Sequence, residues 1–104
     1  MPIKNIDSKT LKLWLEKGEA VLVDVREPFE HSTGTIPGAT LLPLASVSKQ
    51  TIPDFTGKKL VMQCRSGKRS QTAGEILLAN NPDLEIYNLA GGILEWAATG
   101  GAIK

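Results

Sequence analysis

One segment of the 104-residue chain concentrates residues able to do chemistry: Cys64-Arg65-Ser66-Gly67-Lys68-Arg69-Ser70. Cys64 is the single cysteine. A lone thiol excludes an internal disulfide, a Cys-x-x-Cys redox pair and a cysteine-based zinc site. What remains is nucleophilic chemistry, which requires the thiolate. Five cations (Lys58, Lys59, Arg65, Lys68, Arg69) and no acid lie between Phe55 and Gly74. Gly67 lets the backbone turn in on itself, so that successive N–H groups point at one centre. A helix following the loop would add N–H groups with no intrahelical partner and a dipole that favours an anion. These features predict a depressed Cys64 pKa and attraction for an anionic substrate. A buried structural cysteine at a strand end is the bland alternative, and it leaves the glycine and the cations unexplained. Arg65 and Lys68 also read as ordinary solvated surface. Arg69 closes the loop and is expected to turn inward.

The elements that must position this loop flank it directly. Leu60-Val61-Met62-Gln63 is a strand running into Cys64. Residues 70–80 read as a helix with Ala73, Ile76, Leu77 and Leu78 on its buried side, stopped by Asn80-Asn81-Pro82. The β-branched run 20–25 reads as a second strand. Lys4-Asn5-Ile6 is a weak first strand. Ser8 is expected to cap a helix whose apolar stripe is Leu11, Leu13, Trp14 and Leu15, ending at Gly18. A turn at 36–39 leads into a short strand at 40–42, and 84–87 reads as a further strand. Ala90-Gly91-Gly92 is a turn opening a last helix through Trp96. Over 44–56 a short helix and an irregular loop are equally open. Alternating strands and helices predict an α/β fold with a parallel sheet flanked by helices. In such sheets ligands bind at the carboxyl ends of strands, where the Cys64 loop lies.

A second cluster is Asp24-Val25-Arg26-Glu27-Pro28-Phe29-Glu30. Asp24 and Arg26 lie at the end of a strand expected to neighbour that of Cys64. Asp24 is expected to accept backbone N–H bonds from the cysteine loop, and Arg26 to pair with Glu30. His31, the single histidine, would be a general base in a Cys–His pair. A cradled thiolate needs no base, so a short exposed helix is the simpler place for it. Trp14 and Trp96 read as core or rim packing.

Composition bounds the remainder. One domain over residues 1–104 fits the length. A hydrophobic fraction of 41%, a charged fraction of 22% and a net charge of +1 describe a globular chain. Near-neutral charge disfavours nucleic acid or a membrane as the principal partner. No apolar run approaches a bilayer span. The opening Met1-Pro2-Ile3-Lys4-Asn5 is not an apolar leader, so the expected location is cytoplasmic.

Along its whole length the chain resembles the single-domain rhodaneses, a sulfurtransferase family. Residues 23–30, running to Gly34-Thr35-Ile36-Pro37-Gly38-Ala39, resemble the family's first motif; Cys64 through Arg69 resembles its catalytic loop. Gly91-Gly92-Ile93-Leu94-Glu95-Trp96 resembles its closing Gly-Gly-x-x-x-Trp element. One departure is Thr35, where the family usually has His. The resemblance implies a five-stranded parallel sheet with helices on both faces. It implies that Cys64 takes a sulfane sulfur from thiosulfate or a similar donor, becomes a persulfide, and passes the sulfur to cyanide or a thiol. It further implies that Arg65, Lys68 and Arg69 guide the donor while Ser66, Gly67 and Ser70 supply hydrogen-bond donors, with Asp24 and Arg26 supporting the loop. No cofactor or metal is called for, and a protein sulfur donor or acceptor is compatible.

Three rival functions stand beside it. A cysteine phosphatase or arsenate reductase requires Arg at the sixth position after Cys; that position is Ser70, and Gln63 stands where His often precedes the cysteine. A non-catalytic binding module would have no use for the cysteine and its cations. A sulfur carrier with little thiosulfate activity is the third.

Overall fold

Five short strands, β1 (Ile3–Ile6), β2 (Ala20–Asp24), β3 (Thr40–Leu41), β4 (Lys59–Gln63) and β5 (Ile86–Leu89), form one parallel sheet in the order β1-β5-β4-β2-β3. The computed structural model describes residues 3–104; Met1 and Pro2, part of the opening segment discussed above, lie outside them. Among the described residues three α-helices connect strands, α1 (Ser8–Glu16), α2 (Pro28–Thr33) and α3 (Lys68–Asn80), a 3-10 turn at Leu44–Ser46 lies between β3 and β4, and α4 (Gly92–Ala98) follows β5. The five-stranded parallel sheet with helices on both faces is as expected.

Strand side chains alternate between faces, and two cores result. On one face Val23, Leu60, Met62 and Ile86 pack with Ala73 and Leu77 of α3. Leu22, Val61 and Leu89 face the other way, against Leu11 of α1 and Ile93 and Trp96 of α4. Trp14 stacks edge-on to Tyr87 with ring centroids 4.9 Å apart, a packing role as expected. The segment left open at 44–56 is the 3-10 turn followed by irregular chain, with Val47, Ile52 and Phe55 against the α3-side core.

Three local expectations are corrected. Asp7, not Ser8, caps α1, accepting the Thr10 N–H at 2.9 Å; Ser8 is the first helical residue. The last strand lies at 86–89 rather than 84–87. Pairing with β1 starts at Ile3↔Ile86, while Leu84 is still in a turn bonded to Asn81. Helix α3 begins at Lys68, two residues earlier than expected, because Gly67 takes a left-handed φ of 97° and turns the chain at once into the helix.

Among the described residues no helix is long and apolar enough to cross a membrane.

Candidate active site

Strand β4 delivers Cys64 to the carboxyl edge of the sheet, and the loop folds back over its sulfur. Cys64 Sγ accepts the Gly67 N–H at 3.1 Å and the Ser70 N–H at 3.4 Å, and lies 3.3 Å from Ser70 Oγ. The early start of α3 places its first turn directly at the sulfur. Burial pushes the Cys64 thiol pKa up, but the Ser70 hydroxyl and the N–H groups of Ser70, Ser66 and Gly67 outweigh it and bring it below its ordinary value. Cys64 itself is only 1% exposed.

Two glycines make this convergence sterically possible. A Cβ on Gly67 would collide with the Ala90 carbonyl, and one on Gly92 would collide with the Arg65 backbone. Gly92, read from the sequence as part of a simple turn, therefore lets α4 approach the loop. The Ile93 and Leu94 N–H groups bond to the carbonyls of Cys64 (2.9 Å) and Arg65 (3.2 Å). These bonds fix the loop backbone from the side opposite α3.

The cations are distributed differently from their spacing in the chain. Lys58 and Lys59 sit at the opposite end of β4 from Cys64, on the order of 15 Å away for five strand residues; Lys59 Nζ lies over the Trp14 ring. They do not belong to the cysteine environment. Arg65 and Lys68 are exposed at the loop, as is Ser66. Arg69 is half-buried rather than turned inward, and its guanidinium forks onto Glu30 of α2 at 2.7 and 2.9 Å.

That pairing overturns the expected Arg26–Glu30 contact. Arg26 instead folds back on Asp24, with Nε–Oδ1 2.9 Å and Nη2–Oδ2 2.8 Å, and donates from Nη2 to the Gly34 carbonyl. Asp24 is fully buried. It accepts the Arg26 N–H and faces His31 Nδ1 at 2.9 Å. Burial alone would raise its pKa, yet the Arg26 and His31 hydrogen bonds hold it below the ordinary carboxylate value. The expectation that Asp24 binds cysteine-loop N–H groups is also overturned: among the described residues its partners are Arg26 and His31. Asp24 reaches the loop only through the backbone, opposite Gln63 in the β2–β4 register.

Two polar residues escaped the sequence reading. Gln63 is fully buried and donates from Nε2 to the Cys64 carbonyl at 2.9 Å. Asn88 of β5, 4% exposed, accepts from Ser70 Oγ and donates to the Gly67 carbonyl at 3.2 Å. The signal for Asn88 was a polar residue two positions from Ile86, hence on the same inward face. Placing the strand at 84–87 hid it.

The described residues contain no group of three or more side chains suited to hold a metal ion. The assembled site is a buried thiol sulfur held by neutral donors, with exposed cations on its loop.

Comparison with known proteins agrees with this architecture. The rhodanese-like domain family matches residues 7–99. A sulfurtransferase of Allochromatium vinosum is 39% identical over 99 residues, covering 94% of this chain and 92% of its own. Among solved structures, a rhodanese-related protein from Thermoplasma volcanium superposes with a TM-score of 0.81 at 28% identity over 97% of each chain. The human single-domain sulfurtransferase TSTD1 superposes with a TM-score of 0.80 at 26% identity, over 97% of this chain and 99% of its own. Against two further curated relatives the chain spans 52% and 65% of their lengths. With a family match over most of its length and single-domain sulfurtransferases among its relatives, the chain belongs to the rhodanese-like domain family.

Proposed function

We propose that the protein is a sulfurtransferase that moves a sulfane sulfur from thiosulfate or a similar small donor to cyanide or a thiol, through a persulfide on Cys64. The observation that carries the reading is the convergence of the Gly67 and Ser70 N–H groups and the Ser70 hydroxyl on one thiol sulfur. In the first step the Cys64 thiolate attacks the outer sulfur of thiosulfate. A Cys64–sulfur bond forms, the donor S–S bond breaks, and sulfite leaves with the electron pair. The outer sulfur of the persulfide now carries the negative charge, and the ring of N–H groups supports it. An acceptor nucleophile then attacks that outer sulfur and releases the Cys64 thiolate. With a single cysteine in the chain, the acceptor is external.

In this reading Arg65 and Lys68 steer the dianionic donor. Ser66, Gly67 and Ser70 hold the sulfur. Arg69, through Glu30, clamps α3 to α2, and Arg26 and His31 compensate the buried Asp24 at the end of β2. The loop from Cys64 to Arg69 is one residue shorter than the phosphatase pattern, so its donors are spaced for sulfur rather than for three equatorial phosphoryl oxygens.

Intact-mass measurement tests this directly. Thiosulfate should add the mass of one sulfur atom to the protein and cyanide should remove it, and Cys64→Ser should show neither event. Sulfur transfer that persists in Cys64→Ser, or hydrolysis of an aryl phosphate faster than any sulfane transfer, sinks the proposal.

A further inference from the structure

Ser70 has one hydroxyl proton and two acceptors in reach of it. Its Oγ donates to Asn88 Oδ1 in a short hydrogen bond and also lies 3.3 Å from Cys64 Sγ. The Asn88 amide cannot turn over to release this contact freely. Its Nδ2 donates to Asn5 Oδ1 at 3.1 Å and to the Gly67 carbonyl at 3.2 Å, and a carbonyl oxygen can only accept. Ser70 is fully buried and Asn88 nearly so, and an unpaired polar atom is costly there.

We propose that Asn88 is a positioning residue that competes with the Cys64 sulfur for the hydroxyl proton of Ser70, holding it while Sγ is uncharged and releasing it when Sγ is the thiolate. This rests on the reading of Cys64 as a thiolate nucleophile. In the thiol state the S–H donates to Ser70 Oγ, and the Ser70 O–H donates to Asn88 Oδ1; every group is satisfied. In the thiolate state the O–H rotates to the charged sulfur, and Asn88 Oδ1 loses its donor. After sulfur transfer the charge sits on the outer sulfur, Sγ is a neutral divalent atom, and the O–H returns to Asn88. No covalent bond changes; one hydroxyl torsion does. The thiolate is thereby kept from over-stabilisation, and transfer of its charge outward restores a buried hydrogen bond.

The charged groups around the sulfur do not share this proton. Arg69 of α3 feels the Cys64 and Asp24 charges but is paired with Glu30 of α2. Arg65 and Lys68 are exposed. Asp24, Arg26 and His31 of β2 and α2 close on one another. Among the described residues, β5 sets the neutral Asn88 against Ser70 and β1 sets the neutral Asn5 behind it, while α4 meets the loop through the backbone N–H groups of Ile93 and Leu94.

The test is the pH midpoint of Cys64 alkylation by iodoacetamide in wild type, Ser70→Ala, Asn88→Leu and the double variant. Ser70→Ala should raise the midpoint by about one pH unit, the size of one lost hydrogen bond to a charged atom. Asn88→Leu should shift the midpoint lower in the wild-type background than in Ser70→Ala, by about half a unit or more. Equal shifts in both backgrounds overturn the proposal. Alkylation reads the thiolate and not sulfur transfer, so the coupling is measurable in a protein that forms no persulfide. Absence of persulfide with the coupling intact would overturn the proposed function alone. If Asn88→Leu does not fold, carbon NMR supplies the answer: the Asn88 side-chain carbonyl resonance should move through the Cys64 midpoint in wild type and stay fixed in Ser70→Ala. A resonance that stays fixed in wild type overturns the proposal.

Discussion

Two polar clusters stand on adjacent strands at the carboxyl edge of the sheet, and they are built in opposite ways. Around Asp24 a buried carboxylate is matched by a guanidinium fork and an imidazole nitrogen, so its charge is compensated inside the protein. Around Cys64 the sulfur receives backbone N–H groups and lies beside a hydroxyl; the cations of its loop are either exposed or paired elsewhere. A compensated charge has no remaining affinity for a ligand and serves to hold chain segments together. A charge held by neutral donors can move to an incoming atom without leaving a stranded counterion. The comparison teaches that the density of charge along the chain is a poor guide to which buried group is compensated in space.

The largest effect should come from breaking the compensated cluster. Arg26→Ala leaves the Asp24 carboxylate buried without its fork, a loss of about 3–5 kcal/mol when one partner of a buried pair is removed. Urea unfolding should show a lower midpoint at an unchanged m value. Arg26→Lys should fall between the two, keeping the charge but not the bidentate geometry. The Cys64 alkylation midpoint should hardly move in the folded fraction. A shift as large as that in Ser70→Ala would show that the clusters are not independent.

The sequence displayed the cysteine cradle far better than it displayed the Asp24 cluster, for a physical reason. A β-branched run, a cysteine, a glycine and an amphipathic helix follow one another in the chain, so strand, loop and helix are local and legible. The partners of Asp24 depend on backbone direction. The chain leaves β2 at Asp24 and bends at Arg26, whose N–H bonds to Asp24 Oδ1, so the Arg26 side chain folds back onto Asp24 and not onward to Glu30. Glu30 then pairs with Arg69, 39 residues distant, which no local pattern encodes. Asn88 was out of sight for a similar reason. Its function comes from a register between β4, β5 and β1 and from the loop seated above them. Lys58 and Lys59 show the converse error: proximity in the chain was taken for proximity in space, though a strand of five residues separates them from the sulfur.

A smaller effect sharpens the comparison at the mouth of the site. Arg65 and Lys68 are solvated, so on the proposed function they would act on the donor at long range, screened by salt. Arg65→Ala or Lys68→Ala should raise the KM for thiosulfate several-fold at low ionic strength, by order of magnitude of such steering, with little change in kcat. The difference from wild type should shrink as salt is added. Variants that match wild type at low salt would make these side chains mere surface.

The smallest effect concerns Glu30, whose charge is intermediate between the two clusters: compensated like Asp24, but partly open to water. The Arg69 fork holds its carboxyl down at about 2, against an ordinary value of 4.5. A carboxyl depressed by folding stabilises the native state fully above its unfolded pKa, and the contribution disappears as pH falls through the folded value. The window is therefore between about pH 4.5 and pH 2. Because the Arg69 side chain is 36% exposed, solvent screens the pair, and about 1 kcal/mol is a reasonable size for it. Glu30→Gln should lower stability at neutral pH by that amount and flatten the acid limb of a stability–pH curve. Its effect at pH 2 should be a small fraction of that, since the wild-type carboxyl is then about half protonated in the folded protein and fully protonated in the unfolded one. If Glu30→Gln instead costs the same at both pH values, the fork acts through shape alone, and the clamp between α2 and α3 is not electrostatic.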